Sequence, residues 1–221
     1  MLRRVFVSGL ASLAACGGMA HAQDRSAATL LSAVERGDLK AARAAMLAGA
    51  PVDARDARKR TALLIATYRG DAPMARALIE AGADVNAKDD QEDSAFLYAG
   101  AEGPAEILKL TLAAGADLAS LNRFGGTALI PAAHHGHVEN VRILLDTKID
   151  KDHVNKLGWT ALLEAVLLGD GGPVHTEIVR LLVGAGANAN IADRGGVTPL
   201  VHARRRGFSQ MVAILERAGA H

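Results

Sequence analysis

Cysteine is almost absent from this 221-residue chain: Cys16 is the only one. No intramolecular disulfide can brace the fold, so its stability has to come from packing. Aromatic residues make up 3% of the sequence, which excludes a core built on large rings. Neither sign of charge is in excess, with 25 Lys and Arg against 24 Asp and Glu, net +1. Without residues 1–22, which hold Arg3 and Arg4 and no acid, 23 basic residues face 24 acidic ones, net −1. Such a balance offers no global field to a phosphate backbone, so no nucleic-acid partner is expected. The most apolar run, Val5 to Ala15, is short and interrupted by Gly and Ser, so no membrane span is expected.

Catalytic signatures are missing too. The chain has no G-x-S-x-G, no phosphate-cradling G-x-x-x-x-G-K-[ST] and no H-E-x-x-H. Gly169 to Gly172 resembles a Gly-rich phosphate loop but lacks the following Lys and the preceding strand. It reads as an ordinary loop. No catalytic residue, no enzymatic activity and no cofactor are expected.

What the chain does contain begins with an export signal. Arg3 and Arg4 form a positive n-region, Val5 to Ala15 an apolar h-region, and Ala20-His21-Ala22 an A-x-A cleavage site before Gln23. A mature protein starting at Gln23, periplasmic or secreted, is expected. A second reading stays open: Leu13-Ala14-Ala15-Cys16 resembles the lipobox of bacterial lipoproteins, which would anchor the protein through a lipidated Cys16.

Internal repetition dominates the rest. Thr61, Ser94, Thr127 and Thr160 recur every 33 residues, each followed by Ala and then Leu or Phe, and Thr198 follows after 38. Helix-ending glycines keep the same spacing at Gly49, Gly82 and Gly115, then Lys148 where Gly is due, then Gly186 and Gly219. Both markers place one five-residue insertion in the same repeat. Thr or Ser at the opening position can cap a helix, and Leu63, Leu129, Leu162 and Leu200 follow on its inner face. Ala66, Ala99, Ala132, Ala165 and Ala203 are small enough to let neighbouring helices approach closely. The second helix of each unit carries apolar residues three and four apart, as in the run Ile107, Leu108, Leu110, Thr111 and Leu112 or Val141, Ile143, Leu144 and Leu145.

Thr198-Pro199-Leu200-Val201-His202-Ala203, with Gly207 and Gly219-Ala220 after it, resembles the ankyrin repeat, as does Thr127-Ala128-Leu129 with Ala132-Ala133 and Gly136-His137. The resemblance implies an all-α solenoid of paired antiparallel helices with hairpin-like turns, stable only as a stack. The expected organisation is a signal peptide over 1–22 and a repeat domain over 23–221. Its units run over about 27–54, 55–87, 88–120, 121–153, 154–191 and 192–221, the first and last being wetter caps. Lys59 and Glu92 stand where later units have Gly125, Gly158 and Gly196, so the first two turns are expected to be less regular. Asp146-Thr147-Lys148 predicts a weaker helix stop. The insertion, within residues 169–174, predicts a loop.

The resemblance also implies a non-catalytic module that binds another protein, of unknown identity, through hairpin tips and first helices. Positions on those helices left free by packing are Ile65, Tyr68, Arg69, Tyr98, Glu102, Pro131, His134, His135, Glu164, Leu167, Leu168, His202, Arg205 and Arg206. Tyr68, Tyr98, Phe124 and Leu167 are expected to form an apolar strip rimmed by Arg69, Glu102 and His135, with Arg205 as a further contact. His134, His135 and His137 invite comparison with a metal site. Neighbouring histidines project apart on a helix and Gly136-His137 fits the repeat pattern, so no metal is expected. The alternative to protein binding is a small-ligand or metal-handling groove at His134 and His135. The arginine run 204–206 reads as a solvated helix end. Fingertips of opposite sign, 55–60 and 88–93, either attract each other or offer a patterned edge.

Overall fold

In the computed structural model, the structure describes residues 13–221, with side chains from Asp24 onward. The n-region Arg3 and Arg4 lies outside the described residues, and Cys16 and the Ala20-His21-Ala22 site are described only as helical backbone. Among the described residues are twelve helices and no strand, in six antiparallel pairs. They are α1 (Leu13–Arg36) with α2 (Leu39–Leu47), α3 (Ala62–Tyr68) with α4 (Ala72–Glu80), and α5 (Ala95–Ala101) with α6 (Ala105–Ala113). α7 (Leu129–His134) pairs with α8 (Val138–Leu145), α9 (Ala161–Leu167) with α10 (Pro173–Gly184), and α11 (Pro199–Arg205) with α12 (Ser209–Arg217). Odd-numbered helices stack on odd, even on even. The fold is the all-α solenoid the repeat pattern implies.

Packing follows the sequence pattern. Ala33, Ala66, Ala99, Ala132, Ala165 and Ala203 are fully buried along the first-helix row. Spacing there is tight enough that a Cβ on Gly100 would come within 2.7 Å of the Ala128 Cβ. Leu63, Leu129, Leu162 and Leu200 close the core between the two rows. Truncating any of them to Ala would cost about 2–5 kcal/mol, because a stack of short helices cannot collapse around the cavity.

Thr61, Ser94, Thr160 and Thr198 each accept the N–H three residues on, capping α3, α5, α9 and α11. Thr127 does not. Pro131 lacks the N–H that would close the first turn on the Thr127 carbonyl, and its ring would strike that carbonyl. Ile130 instead donates to the Thr127 carbonyl and α7 starts late. The Thr127 hydroxyl is left buried without a partner.

Every finger-like turn before a first helix is built alike. One Asx carboxyl or amide oxygen accepts the N–H groups two and four residues on: Asp56, Asp89, Asn122, Asn155 and Asp193. The residue two before the opening Thr or Ser has positive φ in each, including Lys59 at 59° and Glu92 at 60°. The turns at Lys59 and Glu92 are therefore as regular as the glycine ones, contrary to expectation. The Asx bonds hold both residues in the left-handed region. The opposite charges of adjacent fingers do attract, Lys59 Nζ lying 2.7 Å from Asp90 Oδ1.

Two further expectations are corrected. The α8 stop is made by Thr147, whose hydroxyl donates to the Leu144 carbonyl and accepts from Ile149 N–H, so it needs no glycine. Of the insertion, Pro173 and Val174 belong to α10, which gains an extra turn with Pro at its first position. There the missing N–H costs nothing, and only 168–172 remain as connection.

Candidate functional site

Between the fingers and first helices of the third to fifth repeats lies a groove of about 430 Å³. Its floor is Ile130 and Pro131 on α7. One wall comes from Tyr98 and Glu102 at the end of α5, and the other from Glu164 and Leu168 around α9. The finger turns supply Asn122, Phe124, Asn155 and Leu157. The Asx turns explain why Phe124 and Leu157 stand out: each follows its Asn by two, where the backbone N–H is tied down and the side chain faces outward. Phe124 is 50% exposed and Leu168 42%. The Arg123 guanidinium lies over the Phe124 ring, 4.8 Å from its centre.

Glu164 sits at the bottom, 6% exposed. Asn155 Nδ2 donates to its Oε1 at 2.8 Å, which fixes the carboxyl to the finger turn. Burial pushes its pKa up to about 7, against the stabilising Asn155 bond. His134 Nδ1 is 3.8 Å from Glu164 Oε2, yet burial and the neighbouring His135 and His175 hold the His134 pKa below its usual value. Both shifts favour neutral forms, so we describe this contact as a polar neighbour pair and not as an ion pair. The groove is thus apolar at the rim, with a carboxyl of adjustable charge at its base. It can accept an apolar side chain and a hydrogen-bond donor together.

The residues singled out in the sequence divide into two groups. Tyr98, Glu102, Phe124 and His135 line the groove. Tyr68 lies next to it, its ring edge-on to Tyr98 with centroids 4.3 Å apart. Its hydroxyl donates to Asp89 at 3.1 Å, and burial raises the phenol pKa. Arg69 instead reaches over Gly37 of the preceding repeat. Leu167 is half-buried beside the groove, whose wall is Leu168. Arg205 is exposed on the last repeat, away from the groove. Ile65 is buried in the core and offers no free surface. Arg204 pairs with Glu216 at 2.6 Å, and Arg206 donates to the Val166 carbonyl at 3.0 Å. The arginine run therefore ties the last repeat down.

The comparisons agree with this architecture. The family model for ankyrin repeats in three copies matches residues 30–120 and 96–193. The chain belongs to the ankyrin-repeat family. Ankyrin repeats generally serve as protein–protein interaction modules. The chain is similar to an ankyrin repeat domain from Acinetobacter baumannii AYE, with 52% identity and TM-score 0.85, covering 87% of this chain and 98% of that one. It is similar to the ankyrin repeat protein EF0377, with 40% identity and TM-score 0.83, covering 86% and 96%. The ankyrin repeat domain of Bcl-3, a member of the IkappaB protein family, is 30% identical with TM-score 0.78, covering 87% and 86%. The ankyrin repeat protein YahD of Escherichia coli K12 is 46% identical over 57 residues, which is 26% of this chain and only 28% of YahD. No helix among the described residues is long and apolar enough to cross a membrane.

Sequence reasoning missed Asn122, Asn155, Leu157 and Ile130 as groove residues. Asp56, Asp89, Asn122, Asn155 and Asp193 keep the repeat spacing, so an Asx marker would have located the fingers.

Proposed function

We propose that this ankyrin-repeat chain is a non-catalytic module that binds a protein partner through the concave face formed by first helices and fingertips. The observation that carries the reading is the groove around Glu164. Phe124, Leu157 and Leu168 are exposed together inside one concavity, whereas the other exposed large apolar side chains, Leu47, Val154 and Val174, do not line it. An apolar partner side chain with a donor group suits this lining, with the Glu164 carboxyl as acceptor. The test is a crosslinked pull-down from the native host, comparing the unaltered protein with a Phe124→Ala/Leu168→Ala double variant. Both residues are exposed, so the double variant keeps its fold. A partner captured by the first and lost by the second supports the groove; equal capture by both moves the site elsewhere.

We further propose that the protein works outside the cytoplasm. Arg3, Arg4, the Val5 to Ala15 segment and the A-x-A site support export. Removal of residues 1–22 leaves the α1 core contacts intact, because Leu30, Ala33 and Val34 lie beyond it. An intact mass starting at Gln23 supports a free protein, whereas a diacylglyceryl-modified Cys16 replaces it with an anchored one.

A further inference from the structure

The helix-to-helix turns of the third and fourth repeats bring together three side chains that the protein-binding reading does not require as a set. Glu102 ends α5, while His135 ends α7 and His137 opens α8. Gly136, at φ +81°, turns the chain between the two histidines so that both imidazoles face the Glu102 carboxylate. His135 Nδ1 is 2.6 Å from Glu102 Oε1, and His137 Nε2 is 3.6 Å from Glu102 Oε2. One ligand atom from each of the three falls within 4.8 Å of the others. The His135 and His137 rings stand at 87° to each other with centroids 6.1 Å apart, so their edges converge without stacking.

The decisive atom is His137 Nε2. The atom is inaccessible and has no hydrogen-bond partner, although the side chain as a whole is 36% exposed. A purely structural role for this histidine leaves that nitrogen unexplained. Asp38 and Asp71 occupy the matching place in earlier repeats and each caps its second helix by accepting a backbone N–H. His137 makes no such cap bond. A buried, unpaired imidazole nitrogen aimed at a carboxylate is costly as a fold element and suitable as a metal ligand.

We propose that Glu102, His135 and His137 form a binding site for a late first-row divalent cation of the zinc class, argued from their own geometry although Glu102 and His135 also line the groove wall. Two imidazoles and one carboxylate are a donor set that zinc accepts, with a fourth position left for water. Bonds of about 2.0–2.2 Å to zinc place tetrahedral ligand atoms roughly 3.2–3.6 Å apart. The His137–Glu102 separation already meets that spacing, whereas the His135–Glu102 contact has to open, His135 Nδ1 has to leave the Ala101 carbonyl at 3.3 Å, and the set, now within 4.8 Å, has to tighten. His135 lies at the surface, which gives the ion a path in, while Val174 packs over Gly136 on the far side. A bound ion would staple the third repeat to the fourth. It would also draw Glu102 and His135 away from the groove wall they line.

The test is zinc titration of the untagged protein at pH 7.5, read by calorimetry and by thermal unfolding, with cobalt absorption as a report on coordination. The site requires one ion per chain and a melting temperature raised by about 5–10 °C at about a hundredfold excess over Kd. Glu102→Gln and His137→Gln should each weaken binding about tenfold or more, while His134→Gln, outside the set, leaves it unchanged. Glu102 is exposed, so its variant carries the test even if His137→Gln folds poorly. No binding and no thermal shift would overturn the site. So would binding indifferent to Glu102→Gln, or weakened equally by His134→Gln.

Discussion

The two kinds of turn in this molecule differ in whether a side chain repeats its role from unit to unit. Each finger turn repeats one solution: an Asx oxygen gathers two backbone N–H groups, and a left-handed residue closes the turn. Four helix-to-helix turns share a backbone solution, a left-handed glycine at Gly37, Gly70, Gly136 or Gly207 with the next N–H bonded to the carbonyl five residues back, but the side chain that follows the glycine is not kept. Asp38 and Asp71 cap two second helices, Pro104 and His137 stand at two others, and the fifth repeat spends its insertion there. Side-chain bonding is held constant in the finger turns and varies in the helix-to-helix turns. Asn140 illustrates the variation. It reaches back from α8 and places its Nδ2 within 3.0–3.2 Å of the carbonyls of Ala99, Gly100 and Gly103, mending a turn that has no Asp cap.

The contrast can be broken most directly at Asn155. Its replacement by Ala strips two turn N–H groups and the Glu164 carboxyl of their partner, so urea unfolding should show a loss of about 2–4 kcal/mol. A loss below about 1 kcal/mol would deny the finger turns their structural role.

Glu164→Gln comes next and has a defined pH dependence. The folded protein holds the Glu164 proton to about 7, whereas the unfolded chain releases it near its ordinary value of 4.5. Wild-type stability therefore falls as pH rises through that window. Gln keeps the bond from Asn155 and never ionises. The variant should match wild type near pH 4 and exceed it by at most about 3 kcal/mol above pH 8, as melting curves across pH will show. His134, whose pKa burial lowers, is present in wild type and variant alike, so its own titration drops out of the difference between them.

Asn140→Leu tests the variable turns. It should cost about 1–2 kcal/mol, less than Asn155→Ala, because it leaves carbonyls unpaired without unmaking a turn. Equal losses at the two sites would erase the distinction between them. The smallest effect is a gain: Glu92→Gly relieves a left-handed side-chain-bearing residue and should stabilise by about 0.5 kcal/mol, net of the added chain freedom. Lys59→Gly should gain less, since it also gives up the exposed pair with Asp90.

Much of the fold was legible because its causes are local. The period of Thr and Gly, the alanine row and the spacing of leucines state which face of each helix is buried, and the structure buries those faces. Thr127 shows where locality fails: its capping role is cancelled by Pro131, four residues on, and marker spacing alone does not weigh that clash. The groove was only half legible. Tyr98, Glu102, Phe124 and His135 could be picked as exposed first-helix and fingertip positions. Arg69 could not be separated from them, because only the neighbouring repeat's Gly37 decides where its side chain lies.

By itself, the sequence determined the repeat, its helices, its core and every first-helix Thr or Ser cap but that of Thr127, since each follows from residues within one repeat unit. Tertiary structure alone decided that Glu164 lies buried under Asn155, that Asn140 serves the carbonyls of the repeat before it, and that Glu102 meets His135 and His137. Most of these partners sit about one period apart. The angle and distance between stacked units set whether those touch, whereas the Asn155–Glu164 bond, nine residues apart in one unit, depends on how the finger folds back over its helix.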